Sequence, residues 1–270
     1  MTVVTLLHPG AMGAAVGRQA VSAGATVLWV GAGRSDATRR RAVDAGLVER
    51  PSVDAALAES DVVFSICPPA FAEDVALSAA GFTGVYVEAN AIAPERSQRI
   101  AQLLPSARFV DGGIIGGPPC ASGSTRLYLS GPSGGVPELF AGTALEVVVL
   151  DGKVGVASAL KIAYASYQKT TWALAAVSHA LAAAHGVGAE LLAEAARLQA
   201  RPLLQTDSYP SVAARGWRWA PEMLEVAASL RAAGLPDGLA LGSADTMRRW
   251  EPAKDRTDLP VEDVLGLLAP

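Results

Sequence analysis

The first 35 residues narrow the possible architectures more than any other stretch. An apolar run, Thr2–Leu7, enters the loop His8-Pro9-Gly10-Ala11-Met12-Gly13. An alanine-rich segment follows to Ala23, then Gly24, a second apolar run Thr26–Val30, and Gly31-Ala32-Gly33-Arg34-Ser35. The order reads strand, glycine loop, helix, turn, strand, which is half of a dinucleotide-binding fold. Such a unit holds a pyrophosphate at a helix N-terminus, where unpaired backbone N–H groups and the helix dipole meet negative charge. Residues His8, Pro9, Gly10, Ala11, Met12 and Gly13 are therefore expected to bind a cofactor.

The loop departs from the usual Gly-x-Gly-x-x-Gly spacing, because His8 occupies the first glycine slot. Gly10 and Gly13 remain, the positions for close pyrophosphate approach and for close helix–strand packing. His8 must then turn the chain in a conformation that a residue with a Cβ can hold. The end of the second strand chooses between cofactors. An NAD site usually places Asp or Glu there, but this chain has Gly31 and no acid before Asp36. Arg34 and Ser35 follow at once, with Thr38 and Arg39 a helical turn later; a guanidinium and a hydroxyl suit a 2′-phosphate. The expected cofactor is NADP, with Arg34, Ser35 and Arg39 in contact with it. Arg40 and Arg41 are expected on a solvated helix face.

With 51% apolar and 18% charged residues, the 270-residue chain suits a well-packed α/β protein of two modest domains. A net charge of −4 favours neither nucleic acid nor an acidic membrane surface. Cys67 and Cys120 are too few for a disulfide scaffold, and three histidines make a zinc or iron site improbable. The N-terminus lacks the basic and apolar regions of a secretory leader, and Ala173–Ala184 is too short for a membrane span. The expected compartment is the cytoplasm.

Short strand-like runs alternate with helix-like ones to about residue 150. Asp61–Cys67 is a buried strand halted by Pro68-Pro69. Gly84–Glu88 is another, followed by Ala89-Asn90-Ala91 and Pro94, a good first-turn helix residue. Arg108–Asp111 leads into a loop, Gly112–Pro119, and Thr125–Ser130 and Glu146–Leu150 read as two more strands. Ligands in open sheets lie beyond the carboxyl ends of strands, so Pro68, Asn90 and Gly112–Pro119 are the expected walls of a site. From Val154 to His185 no proline occurs, which allows a helix of about 30 residues, roughly 45 Å long. Beyond Ala189 the expectation is shorter helices broken at Pro202, Pro210, Pro221, Pro236 and Pro252. The fold class is thus α/β: a Rossmann-type domain over 1–151, then an all-α C-terminal domain over 152–270, joined by a long interdomain helix.

Lys161 lies in Ser158-Ala159-Leu160-Lys161-Ile162-Ala163-Tyr164, among small and apolar residues, and shares a helical stripe with Tyr164, Gln168 and Trp172. A lysine facing a pocket has its pKa lowered by desolvation and then exchanges a proton near neutral pH. Lys169 is read as the ordinary solvated case.

Four features in this order resemble the β-hydroxyacid dehydrogenase superfamily, which includes 6-phosphogluconate dehydrogenase, 3-hydroxyisobutyrate dehydrogenase and the imine reductases. His8–Gly13 resembles its glycine loop ending in Met-Gly, and Glu88-Ala89-Asn90 its segment beside the nicotinamide. Asp111–Gly117 resembles its substrate loop, and Gly155–Lys161 the start of its interdomain helix with the catalytic lysine. The tail, with Trp219-Ala220-Pro221-Glu222-Met223 and Ala233-Gly234-Leu235-Pro236, is similar to a branch with a distinct C-terminal domain. The resemblance implies that Lys161 is the general acid/base that takes the substrate hydroxyl proton as hydride leaves for NADP⁺. It implies that Ile115–Gly117 and Ser122 hold the substrate's acidic group, and that Asn90 and Pro68 line the nicotinamide side. Because a long apolar helix commonly packs against a second subunit, a homodimer is expected, with intertwined C-terminal helices that complete each other's site.

The departures shape the functional expectation. Ala165 stands where the family usually has Asn, and Tyr164 where 6-phosphogluconate dehydrogenase has His, which argues against decarboxylation of 6-phosphogluconate. Ile115 replaces the substrate-loop serine, and Tyr164 or Gln168 could supply the lost polar contact. The leading expectation is an NADP-dependent dehydrogenase or reductase acting on a small hydroxy acid or oxo acid, with no metal. The alternatives are an imine reductase, against which Lys161 argues, and a non-catalytic NADP-binding sensor.

Overall fold

The computed structural model describes residues 1–120, 123–184, 186–197, 205–232 and 237–269. Among the described residues eight strands are formed: β1 Val3–Leu6, β2 Thr26–Val30, β3 Val48–Arg50, β4 Val62–Ser65, β5 Val85–Glu88, β6 Arg108–Gly116, β7 Thr125–Ser130 and β8 Leu145–Val149. They make one sheet in the order β3-β2-β1-β4-β5-β6-β7-β8. The pairings are parallel from β3 to β6, antiparallel between β6 and β7, and parallel again between β7 and β8. Parallel strands buried on both faces read as continuous apolar runs, and Val62–Ser65 and Val85–Glu88 are buried at every position.

Between them lie α1 Ala11–Ser22, α2 Asp36–Asp44, α3 Val53–Glu59, α4 Ala72–Leu77 and α5 Pro94–Leu103. Ser35 and Ser52 cap α2 and α3 by accepting the N–H of Thr38 at 3.3 Å and of Ala55 at 3.1 Å. Pro94 opens α5, where a missing N–H costs nothing. One face of the sheet buries Trp29, Phe64 and Phe140; the other buries Tyr86, Phe109 and Ile100. Strand order reverses between β1 and β4, which places the loops after those two strands at the switch point where such sheets take ligands. Register adds a second alignment: Ser65 faces Glu88, and Glu88 faces Asp111, so three polar residues stand in a row at the carboxyl ends.

The long helix α6 runs over Val156–Ala184, and the chain's internal contacts divide after Lys161, within it. The second unit contains α7 Gly188–Arg197, α8 Tyr209–Ala213, α9 Gly216–Ala232, α10 Gly238–Arg248 and α11 Val261–Gly266. No strand occurs among its described residues. Its core gathers Tyr209, Met223, Met247 and Trp250, and the Trp250 indole N–H donates to the Val264 carbonyl at 3.0 Å.

Two expectations change. The stretch Gly112–Gly116 is strand, not loop, because β7 pairs antiparallel with β6 along it, from Asp111↔Ser130 to Gly116↔Thr125. Pro221 does not break a helix but lies inside α9: one missing N–H is tolerated where Ala220 and Met223 are anchored in the core. Pro210 starts α8 and Pro252 lies in a short 3₁₀ turn. Pro202 and Pro236, with the Ala233–Pro236 segment, fall outside the described residues.

Candidate functional site

The glycine loop is closed by backbone contacts. Gly10 N–H donates to the His8 carbonyl at 2.9 Å, and a Cβ at Gly13 would collide with that same carbonyl. Among the described non-glycine residues only Asp255 has a positive φ, so His8 turns the chain without left-handed strain. Gly10, extended, is the N-cap of α1; no side chain caps the helix and no acid occupies its first turn. The N-terminal N–H groups and the dipole of α1 thus face the mouth of the loop with nothing negative of their own.

His8 is held by Arg34, whose Nη1 lies 2.7 Å from His8 Nδ1 and whose Nη2 donates to the Leu7 carbonyl at 3.0 Å. Burial first, then the charges of Arg34 and Arg41, lower the His8 pKa to about 4. The ring is neutral at pH 7: Nδ1 accepts from Arg34 and Nε2 carries the proton. That edge of the ring lies over Gly10, 3.3–3.5 Å from the place a Cβ would take. Arg34, expected at a 2′-phosphate, therefore braces the glycine loop itself. Ser35 spends its hydroxyl on the cap of α2, and Arg39 donates to Glu49 at 3.0 Å and to the Gly31 carbonyl at 2.6 Å. Arg41, expected in solvent, is half-buried: its Nη2 donates to Thr38 Oγ1 at 2.9 Å because α2 turns that side chain inward towards His8.

The second wall is the end of β4 and β5. Asn90, 2% exposed, accepts the Cys67 N–H at 2.5 Å and donates to Ser65 Oγ at 2.9 Å. Its carboxamide is thus a bracket that fixes the Cys67-Pro68 turn beside the switch point. Burial and the nearby Glu88 push the Cys67 thiol up to about 12, so it is not a nucleophile. Glu88 is fully buried; Oε1 accepts the Asn90 N–H at 3.1 Å, and Oε2 has no hydrogen-bond partner among the described residues. Burial raises its pKa to about 8 against the bonds it accepts. The folded chain keeps this proton until about pH 8, whereas the unfolded chain releases it near 4.5, so stability falls as pH rises between those values. Glu88→Gln should flatten that fall, worth about 3–5 kcal/mol, in denaturant titrations from pH 5 to 8. Parallel slopes for variant and wild type would reject the assignment.

The third wall is β6 with the start of α6. Asp111 is fully buried and accepts five hydrogen bonds: at Oδ1 from Ser97 Oγ (2.7 Å) and Ser158 Oγ (2.5 Å), and at Oδ2 from Ser130 Oγ (2.9 Å), Gly155 N–H (3.0 Å) and Ser158 N–H (2.9 Å). Ala157 N–H donates to Ser130 Oγ at 3.0 Å. A strand carboxylate thus caps the positive end of α6 and fixes where that helix begins. A Cβ at Gly113 would stand 2.8 Å from the Ala157 carbonyl and 2.9 Å from Lys161 Cβ, so only glycine lets the helix lie this close to β6. Lys161, one turn beyond the clamp, is half-buried, and burial lowers its pKa to about 8.

Of the other substrate-side residues, Ile115 is buried and Gly116 and Gly117 are exposed. Gly116 has φ +119° with Ser124 against its Cα, and the Gly117 carbonyl accepts from Thr125 Oγ1 at 2.6 Å. Ser122 lies outside the described residues. Tyr164 and Gln168 are exposed on α6, 3.4 Å apart at Oη and Nε2. Lys169 is not solvated as expected. It is 5% exposed, paired with Glu222 and 5.7 Å from the Trp219 ring centre, because it points into the core of the second unit. The first unit thus brings together His8–Gly13, Arg34, Pro68, Asn90, β6 and Lys161 at the carboxyl edge of one sheet. Sequence reading missed Asp111, Ser130 and Ser158 as the clamp, and Glu49 beside Gly31; only the paired glycines after Asp111 hinted at a close helix. Among the described residues no group of three His, Cys, Asp or Glu is placed to hold a metal, and no helix is long and apolar enough to cross a membrane.

Residues 182–250 match the family described as a domain of unknown function, DUF1932. An uncharacterised 28.5 kDa protein of Methanothermus fervidus is 28% identical over 143 residues, 53% of this chain and 56% of that protein, so the match spans little more than half of its length. The crystal structure of 3-hydroxyisobutyrate dehydrogenase from Salmonella typhimurium is similar with a TM-score of 0.74 at 16% identity, covering 99% of this chain and 100% of that one. A reductive aminase from Aspergillus terreus, solved with NADPH and ethyl levulinate, is similar with a TM-score of 0.60 at 22% identity, covering 98% and 99%. The chain has the fold of the 3-hydroxyacid dehydrogenase-like proteins, and within its C-terminal region residues 182–250 match the DUF1932 description.

Proposed function

We propose that this protein is an NADP(H)-dependent oxidoreductase that interconverts a small hydroxy acid and the matching oxo acid, with Lys161 as general acid/base. The observation that carries the reading is the desolvated Lys161, fixed by the Asp111 clamp at the carboxyl edge of the sheet. The residues present fit a dinucleotide. The start of α1 has no cap or acid of its own, and Gly10 offers a surface on which a Cβ would meet only the His8 ring. The N–H groups of Ala11–Gly13 would hold the pyrophosphate. Arg39, Ser35 and the remaining N–H groups of Arg34 would face the adenosine side, and Pro68, held by Asn90, would back the nicotinamide.

A bound NADP(H) supplies the two-electron transfer at the substrate carbon. Lys161 moves the proton: as ammonium it donates to the carbonyl oxygen on reduction, and as amine it accepts from the hydroxyl on oxidation. Backbone groups of Ile115–Gly117 would orient the substrate's carboxylate beside Lys161. The exposed stripe Leu160, Tyr164 and Tyr167 on α6, the last 76% exposed, supports assembly as a homodimer through the helices.

One preparation tests the reading. Tryptophan fluorescence should saturate with NADPH, and more weakly with NADH; a panel of 3-hydroxy and 3-oxo acids should then give turnover, from a species with the mass of two chains. Saturation by neither nucleotide removes the reading. Turnover of cyclic imines in place of oxo acids would move it to C=N reduction, and binding with no turnover on either panel would make the protein a nucleotide sensor.

A further inference from the structure

The acid missing from the end of β2 is supplied by the neighbouring strand. A side chain at Gly31 would fall on Glu49 Oε1 and 2.6 Å from Arg39 Nη1. Glu49 lies on β3 in register with Trp29, and Arg39 Nη1 holds its carboxylate beside Gly31 at 3.0 Å. Arg39 Nη2 donates to the Gly31 carbonyl at 2.6 Å. A borrowed carboxylate and a guanidinium thus fill the place of the absent side chain, at the strand end from which such folds read an adenosine ribose. Both side chains are exposed, 51% and 42%, and β3 is the edge strand, so Glu49 can leave by side-chain rotation alone.

We infer that Glu49 is a specificity-determining residue of the nucleotide site: an internal anion that occupies Arg39 and sets how strongly the site prefers a 2′-phosphorylated ribose. The inference rests on the nucleotide reading proposed above. A carboxylate beside Gly31 accepts hydrogen bonds from a ribose diol and repels a phosphate; a guanidinium favours the phosphate through charge-assisted bonds. In the closed pair the two offset each other. A 2′-phosphate must compete with Glu49 for Arg39 and turn it outward, whereas an unphosphorylated ribose meets the pair as it stands.

Glu49→Gln keeps the side-chain length and removes the competing charge. In fluorescence titrations of the full chain, the NADPH Kd should fall about tenfold while the NADH Kd stays or rises, so the preference widens. Arg39→Met should act in the opposite sense, weakening NADPH by about tenfold or more and NADH by less than about threefold. A folding defect would weaken both nucleotides together and leave their ratio unmoved. If wild type binds NADPH but the ratio is unchanged in Glu49→Gln, this inference alone fails; if neither protein binds either nucleotide, the nucleotide reading fails with it.

Discussion

Lys161→Ala is expected to lower turnover by about 10²–10⁴-fold, the usual scale of a lost acid or base, while NADPH binding stays within about twofold. The wild-type pH profile supplies a second signature. With a pKa of about 8, the amine needed for oxidation becomes available as pH rises through that value, and the ammonium needed for reduction is lost over the same interval. The variant should lose both limbs. Lys161→Met adds a third readout. In the unfolded chain the ammonium persists to about pH 10.5 but in the folded chain only to about 8, so below pH 8 the buried charge weakens the fold. The Met variant should therefore melt higher at pH 7 while losing turnover. Steady-state kinetics beside thermal melts check all three, and an undiminished rate would remove Lys161 from the mechanism.

Asp111→Ala is expected to cost about 3–5 kcal/mol of stability, the range for breaking a buried charged network. Three hydroxyls and two backbone N–H groups would lose their acceptor at once, and the first turn of α6 its cap. Asp111→Asn keeps one acceptor oxygen but turns an NH₂ group towards donors, so it should recover only part of the loss. Urea unfolding midpoints for the pair measure this. A loss below about 1 kcal/mol would mean that water replaces the carboxylate and that α6 starts where it does for another reason.

The sequence disclosed what is local and periodic. Thr2–Leu7, Gly10, Gly13 and Thr26–Val30 specify a βαβ unit by their order, and the proline-free stretch after Gly155 specifies α6. What it concealed depends on contacts between distant residues. Arg34 and His8 are 26 positions apart, and nothing in their spacing says that one braces the other. Gly31 was legible as an absent acid, but Glu49 reaches it only because β3 pairs with β2. Gly112–Gly116 looked like a loop because glycines lack strand propensity; pairing with β7 and the close approach of α6 override that preference. Lys169 looked solvated because a lysine's neighbours in sequence do not reveal that Glu222, 53 residues on, is waiting in the core. The site was therefore readable as a set of edges and much less as a set of bonds.

The chain's contacts divide immediately after Lys161, so the proposed proton donor, the carboxylate that fixes its helix and the glycine loop all belong to one unit. The carboxylate that sets where its helix begins, and the glycine against which it packs, are encoded upstream of it. A lineage could then exchange or remodel the sequence after residue 161 without retuning the acid–base group. The acid–base group and the second unit would be inherited as separable traits, the first anchored by the clamp.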